Sequence, residues 1–327
     1  MIRRAFGLGL LAFKLGLLLC AAVFGQIASA QEQEDGSPRL VQLTESVYRV
    51  EHRPMAANTS VVVTDEGLIV IDATCRGQGN PEWLKPELDR RFGVPVKYVI
   101  LSHDHSDHNC GLQIFDDTAI TISHINARKH IVREGRETSV PDVVFDQEME
   151  IHLGGKTLYL YYFGHTHTNN LIQIHIPEER ILIAPDIAWG GTGKALVTPD
   201  FRDAHVENLI ETLGILSKLD DVDIVVPGHM GPTTQQAFIY FRDYVVALQD
   251  RVLTELIAGA SIEEILERVT MEDFSDYENF EWWLHSNIIS MWDNMYRWRE
   301  PPFNDRPGNY QDAYPIGFPI GEFEPPE

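Results

Sequence analysis

The stretch Tyr98-Val99-Ile100-Leu101-Ser102-His103-Asp104-His105-Ser106-Asp107-His108 decides how the rest of the chain is read. Its first five residues form a β-rich run. The next six carry three imidazoles and a free-standing carboxylate at the end of that strand, a density that packing or solubility does not explain. Histidines two apart in a turn, His103 and His105, can address one cation together, while Asp107 and His108 point toward a second position. Neutral imidazole and carboxylate are ligands that zinc takes.

Such a centre needs further ligands from later in the chain, and three candidates sit where β-like runs end in turns. They are His165 after Phe163-Gly164, Asp186 after Ala184-Pro185, and His229 after Pro227-Gly228. Strands are predicted at Val47 to Glu51, Ser60 to Thr64, Leu68 to Asp72, Tyr98 to Ser102, Thr157 to Phe163, Asn170 to Ile176, Ile181 to Asp186 and Ile224 to Pro227. Helices are predicted at Pro81 to Phe92, Ile125 to Glu134 and Ala204 to Leu219. The fold class is therefore α/β, with helices outside layered sheets and every candidate ligand at one sheet edge.

The order HxHxDH, then His165, Asp186 and His229 at intervals of 57, 21 and 43 residues, resembles the metallo-β-lactamase fold superfamily over roughly Leu40 to Thr233. That resemblance implies an αββα sandwich. It assigns His103, His105 and His165 to a first metal and Asp107, His108 and His229 to a second, with Asp186 bridging both, and it implies two Zn2+, with iron or a mixed pair as alternatives. Asp72 matches a carboxylate that orients a ligand histidine. His167 would face the site or the substrate, and Lys194 would be either a solvated surface lysine or a clamp on a substrate carboxylate. Asp107 and Asp186 are the expected catalytic carboxylates. The implied reaction is hydrolysis of a lactone, ester or β-lactam carbonyl. Cys or Ser stands at the Asp186 position in typical β-lactamases of the superfamily, so Asp186 leans toward lactonase-like or thioesterase-like members. The interval from Asp186 to His229 nonetheless has the length seen in lactamases.

Rival readings are weakened by the rest of the chain. Residues 235 to 327 hold no Lys, 6 Arg and 18 Asp plus Glu, which disfavours the glutathione thioester of a glyoxalase II. An iron persulfide dioxygenase keeps the same histidines and is the rival outside hydrolysis. Arg3-Arg4, the apolar run Phe6 to Phe24 and Ala28-Ser29-Ala30 read as a secretory signal peptide over residues 1–30, so a periplasmic or secreted protein without a permanent membrane anchor is expected. Arg3, Arg4 and Lys14 are its only charged residues, and its removal moves the formal charge from −23 to −26. A chain so acidic would be repelled by phosphate backbones, which argues against nucleic acid and for a small neutral or weakly charged substrate.

The catalytic domain is placed at residues 38–233, a helical extension at 234–300 and an extended or poorly ordered tail at 301–327. Helices in the extension are predicted at Gln235 to Ala258, Ser261 to Val269 and Asn279 to Trp298, with a capping box at Ser261 to Glu264. The aromatic helix with Trp282, Trp283 and Trp292 packs into the core, forms a homodimer contact or roofs an apolar substrate. The loop His52 to Thr59, with Met55 and Asn58, is expected as a flap over the site. Cys75 and Cys110 are expected as two buried thiols; in an oxidising compartment they are the pair able to form a disulfide. His52, His124, His130, His152, His175, His205 and His285 are expected bystanders.

Overall fold

Strand Gly67–Ile71 is buried at every residue, and its side chains part by the two-residue period of a strand. Leu68 and Val70 join a cluster on one face of their sheet, while Ile69 and Ile71 join a different cluster on the other. A strand buried on both faces belongs in the middle of a layered protein. The computed structural model describes residues 37–51, 57–75, 81–187, 189–196 and 201–297. The leader, Met55, His52, Trp298 and the tail lie outside the described residues.

The first sheet has seven strands in chain order: β1 (Arg39–Gln42), β2 (Val47–Glu51), β3 (Thr59–Thr64), β4 (Gly67–Ile71), β5 (Val96–Leu101), β6 (Ile120–His124) and β7 (Val143–Phe145). Strands β1 to β4 pair antiparallel and β4 to β7 parallel. The second sheet runs in the order β12 (Ile224–Pro227), β11 (Ile181–Ala184), β10 (Gln173–Ile176), β9 (Lys156–Tyr161) and β8 (Glu148–Leu153). The β11 and β12 pair is parallel and the remainder antiparallel.

Between the sheets lies an aliphatic layer that includes Val62, Ile69, Ile71 and Ile100 from the first sheet and Leu158, Leu160, Ile174, Ile183 and Val226 from the second. Each such fully buried side chain contributes about 1.5–3 kcal/mol relative to exposure. Helices α1 (Pro81–Phe92) and α3 (Ile125–Glu134) cover the outer face of the first sheet through Leu84, Leu88, Ala127 and Ile131. Helices α4 (Val206–Leu216), α5 (Gln236–Ile257), α6 (Ile262–Arg268) and α7 (Phe280–Arg297) cover the second in one cluster with Leu182, Ala184 and Val225. This is the αββα sandwich expected from the sequence, and from Pro38 it forms one unit. No helix among the described residues is long and apolar enough to cross a membrane.

Several strand boundaries move by one to three residues, two of them for evident local reasons. Strand β10 begins at Gln173 rather than Asn170, because the preceding residues bond to the end of β5, with Ile172 N donating to Ser102 O at 2.9 Å. Strand β11 stops at Ala184, since Pro185 follows and Asp186 takes a positive φ of 49°. The capping box at the start of α6 is formed by the Ser261 and Glu264 side chains.

Candidate metal centre

Four strand ends deliver the site. After β4, Asp72 turns at φ 56° and its carboxylate accepts bonds from Ser102 N at 2.8 Å and Ser102 Oγ at 2.7 Å, while lying 3.0 Å from His108 Nδ1. After β5, His103 and His105 lead into the single turn α2 (Ser106–Asn109), which carries Asp107 and His108. The loop before β10 carries His165 and His167, and β11 and β12 end at Asp186 and His229.

Two groups of ligand-type atoms result, each drawn together within 4.8 Å: His103, His105, His167 and Asp186 in one, Asp107, His108 and His229 in the other. Asp186 spans them. Its Oδ2 lies 3.5 Å from His103 Nε2, 3.3 Å from His108 Nε2 and 3.6 Å from His167 Nε2, and its Oδ1 lies 3.5 Å from His229 Nε2. Asp107 Oδ2 faces His229 Nε2 at 3.4 Å.

Among the described residues, the buried atoms His103 Nε2, His108 Nε2 and Asp186 Oδ1 have no hydrogen-bond partner of proper geometry. Buried polar atoms are almost always satisfied, so converging lone pairs without partners fit a divalent cation. Charge agrees. Burial, with His108 adding to it, brings the His103 imidazole down to about 4. Burial beside His105 brings His167 down to about 3. Both rings are therefore neutral and ligand-ready near pH 7. Burial opposes protonation of His108, but Asp186 and Asp72 outweigh it and raise its pKa well above the usual value. For Asp107 burial is likewise overcome, by His229 and His108, and its carboxyl falls below the ordinary range.

Not every expected residue arrives. His165 is not in the first group; its ring bonds the backbone carbonyl of Asp203, and His167 takes the position. The dipeptides His165-Thr166 and His167-Thr168 are identical, so composition cannot choose between them. The positive φ of 86° at Gly164 and the anchoring of His165 O and Phe163 O by Asn208 Nδ2 decide which ring turns inward. Lys194 is not drawn into either ligand group; its Nζ pairs with Asp276 at 2.6 Å and lies over the rings of Tyr240 and Tyr277. Of the loop expected as a flap, residues 52–56 lie outside the described residues; Asn58 is buried and donates to the carbonyls of Pro227 and Met230, bracing the His229 turn. Cys75 and Cys110 are joined as a disulfide instead of standing as two thiols. Bonds from Ala73 N to His108 O and from Gly111 N to Ala73 O bring their segments side by side.

Residues that sequence reasoning missed support the groups from behind. Gly228 admits the Asp186 carboxylate: a β-carbon there would lie 1.8 Å from Asp186 Oδ1. His130, an expected bystander, bonds Asp104 through Nδ1 at 2.7 Å. Behind His167 and Asp186 lies a cavity of about 10 Å3 walled by Trp189, Phe201, Ala204, Leu209 and Phe241. That space suits about one water.

A profile of the metallo-beta-lactamase superfamily matches residues 52–229. The alpha subunit of 2,4-dinitroanisole O-demethylase from Nocardioides sp. (strain JS1661) is 25% identical over 247 residues, covering 74% of this chain and 68% of that protein. Metallo-beta-lactamase type 2 of Elizabethkingia meningoseptica is 24% identical over 245 residues, covering 73% of this chain and 96% of that protein. Among solved structures, the stereoselective inverting sec-alkylsulfatase Pisa1 from Pseudomonas sp. superposes with a TM-score of 0.65 at 17% identity, over 85% of this chain and 52% of that one.

Proposed function

The chain belongs to the metallo-beta-lactamase superfamily, whose members are hydrolytic metalloenzymes, and on that premise we propose an exported hydrolase holding two divalent ions, zinc in the first instance, that cleaves a lactone, ester or β-lactam carbonyl of a small molecule. The observation that carries this reading is the meeting of both ligand groups at Asp186. His103, His105 and His167 would hold one ion, Asp107, His108 and His229 the other, and Asp186 would be shared. Ions bound there would supply Lewis acidity toward a carbonyl oxygen and lower the pKa of a water to near neutrality.

The protein's own groups have distinct tasks. Asp72 accepts the Nδ1 proton of His108 and so fixes which ring nitrogen faces the centre. Ser102 Oγ lies 3.0 Å from His103 Nδ1 and does the same for that ring. Asp107, about a third exposed, is the carboxylate nearest solvent and stays ionised at neutral pH. It would accept a proton from the attacking water and pass it to the leaving group. The acidic surface supports a neutral or weakly charged substrate and argues against nucleic acid.

A second reading rests on the relatives' names: one is an O-demethylase subunit and one fold neighbour an alkylsulfatase, so an ether or sulfate-ester carbon–oxygen bond is the alternative target. Zinc-loaded protein assayed in parallel against a chromogenic β-lactam, acyl lactones, thioesters, phosphodiesters, alkyl sulfates and nitroaryl ethers, with metal analysis on the same sample, separates these. Turnover of a carbonyl substrate that is lost in His105→Ala and Asp186→Ala is expected. Full turnover by either variant after metal depletion would refute the assignment.

A further inference from the structure

Asp104 stands between His103 and His105 yet is not among the converging ligand atoms. Its side chain is buried, and its contacts run the other way. Asn170 Nδ2 donates to Asp104 Oδ1 at 2.9 Å, and Asp104 N donates back to Asn170 Oδ1 at 2.9 Å. On Oδ2 sit His130 Nδ1 at 2.7 Å and Arg136 Nη2 at 3.3 Å. Arg136 also bonds the Asp104 carbonyl. Asn170 is 1% exposed and follows His167 by three residues. The reciprocal pair therefore ties the loop bearing His103 and His105 to the loop bearing His167, the two segments that must agree if three imidazoles are to meet one ion.

We propose that Asp104 is a positioning residue that holds these two loops in register through Asn170, and thereby sets the affinity of the first ligand group. The inference rests on the two-ion reading above. It follows from the geometry: the Asn170 side chain bonds both the backbone N–H and the carboxylate of Asp104, and so couples the residue between His103 and His105 to the loop of His167. A buried carboxylate contacted by three donors, from Asn170, His130 and Arg136, is also a rigid anchor, because each donor's loss would leave charge less well paired.

The test is a Co2+ titration of metal-free protein, followed by electronic absorption against a competing chelator, for wild type, Asp104→Ala, Asp104→Asn, Asn170→Ala and the Asp104→Ala/Asn170→Ala double variant. Circular dichroism and thermal melting verify that each variant folds. Wild type is expected to take two ions. In Asp104→Ala one of the two should weaken by about 10- to 100-fold, as loss of a ligand-orienting partner does, with the other little changed. Asn170→Ala should show the same loss, and the double variant should be no worse than the poorer single, the signature of one shared interaction. Asp104→Asn keeps the shape and an acceptor for Asn170, so it should recover most of the affinity; if Asp104→Ala does not fold, it and Asn170→Ala carry the comparison. Two ions bound with wild-type affinity in Asp104→Ala and Asn170→Ala, or both ions weakened alike, would overturn the proposal. A wild-type protein that takes up fewer than two ions would instead overturn the two-ion reading, and this inference with it.

Discussion

At Gly228 there is no room for a β-carbon, because the Asp186 carboxylate occupies that place. Gly228→Ala must displace either the His229 turn or Asp186, and is expected to lower metal affinity by at least about tenfold, measured by chelator competition; unchanged affinity would show that the carboxylate has somewhere else to go. The neighbouring choice between two histidines is tested as directly. His167→Ala should lose an ion and His165→Ala should keep both, and the reverse pattern in elemental analysis would restore His165 to the centre. Protonation separates the two groups as well. A raised histidine pKa stabilises the metal-free fold below its unfolded value, about 6.5, and that stabilisation is lost as pH rises through the folded value; His108 and His229 are both of this kind. Ion uptake by their group must expel protons, so its affinity should weaken by up to about tenfold per pH unit and per proton as pH falls. His103 and His167, at about 4 and about 3, impose no such competition near neutrality. Calorimetry in buffers of different ionisation enthalpy should therefore show more proton release for the ion of the His108 and His229 group than for the other. Residues clustered within HDHSDH, or preceded by a strand and a turn, were legible in the sequence. The inward turn of His167 and the engagement of Lys194 by Asp276 were not, because backbone dihedrals and a partner 82 residues away decided them.

Among the elements, those with continuous apolar runs or strong helix patterning could be read directly: Val47–Glu51, Ile224–Pro227, Pro81–Phe92 and Ile125–Glu134 stand where periodicity predicts them. Strands β1, β6, β7 and β8 were not foreseen. Three of them are sheet edges, and β6 buries Thr121, Ser123 and His124, whose polarity hides the strand. The Cys75–Cys110 disulfide bolts the segment after Asp72 to the turn that carries His108 and closes a separation of 35 residues. Reducing it, or making Cys75→Ser with Cys110→Ser, should cost about 2–4 kcal/mol of stability in a urea titration; an unchanged midpoint would mean that the local backbone bonds suffice. On the second sheet's side of the centre, Asn294 of α7 donates to the carbonyls of Phe201 and Ala204, which wall the cavity behind Asp186. The last helix is thus tied to the segment behind the metal groups, although its sequence shows only an apolar face.

For the molecule as a whole, the αββα layering follows from strands whose two faces feed different cores, and the site lies where strand ends from both sheets converge. The acidic charge frames the choice of substrate but does not select one, since the residues that would touch it follow no periodic pattern. What unites fold and chemistry is one carboxylate reaching two ligand groups. The most direct test is metal stoichiometry by elemental analysis of wild type and Asp186→Ala purified alike. Two divalent ions per chain in the wild type, with both weakened in the variant, is the predicted result. One ion per chain, or two that bind indifferently to the loss of Asp186, would contradict it.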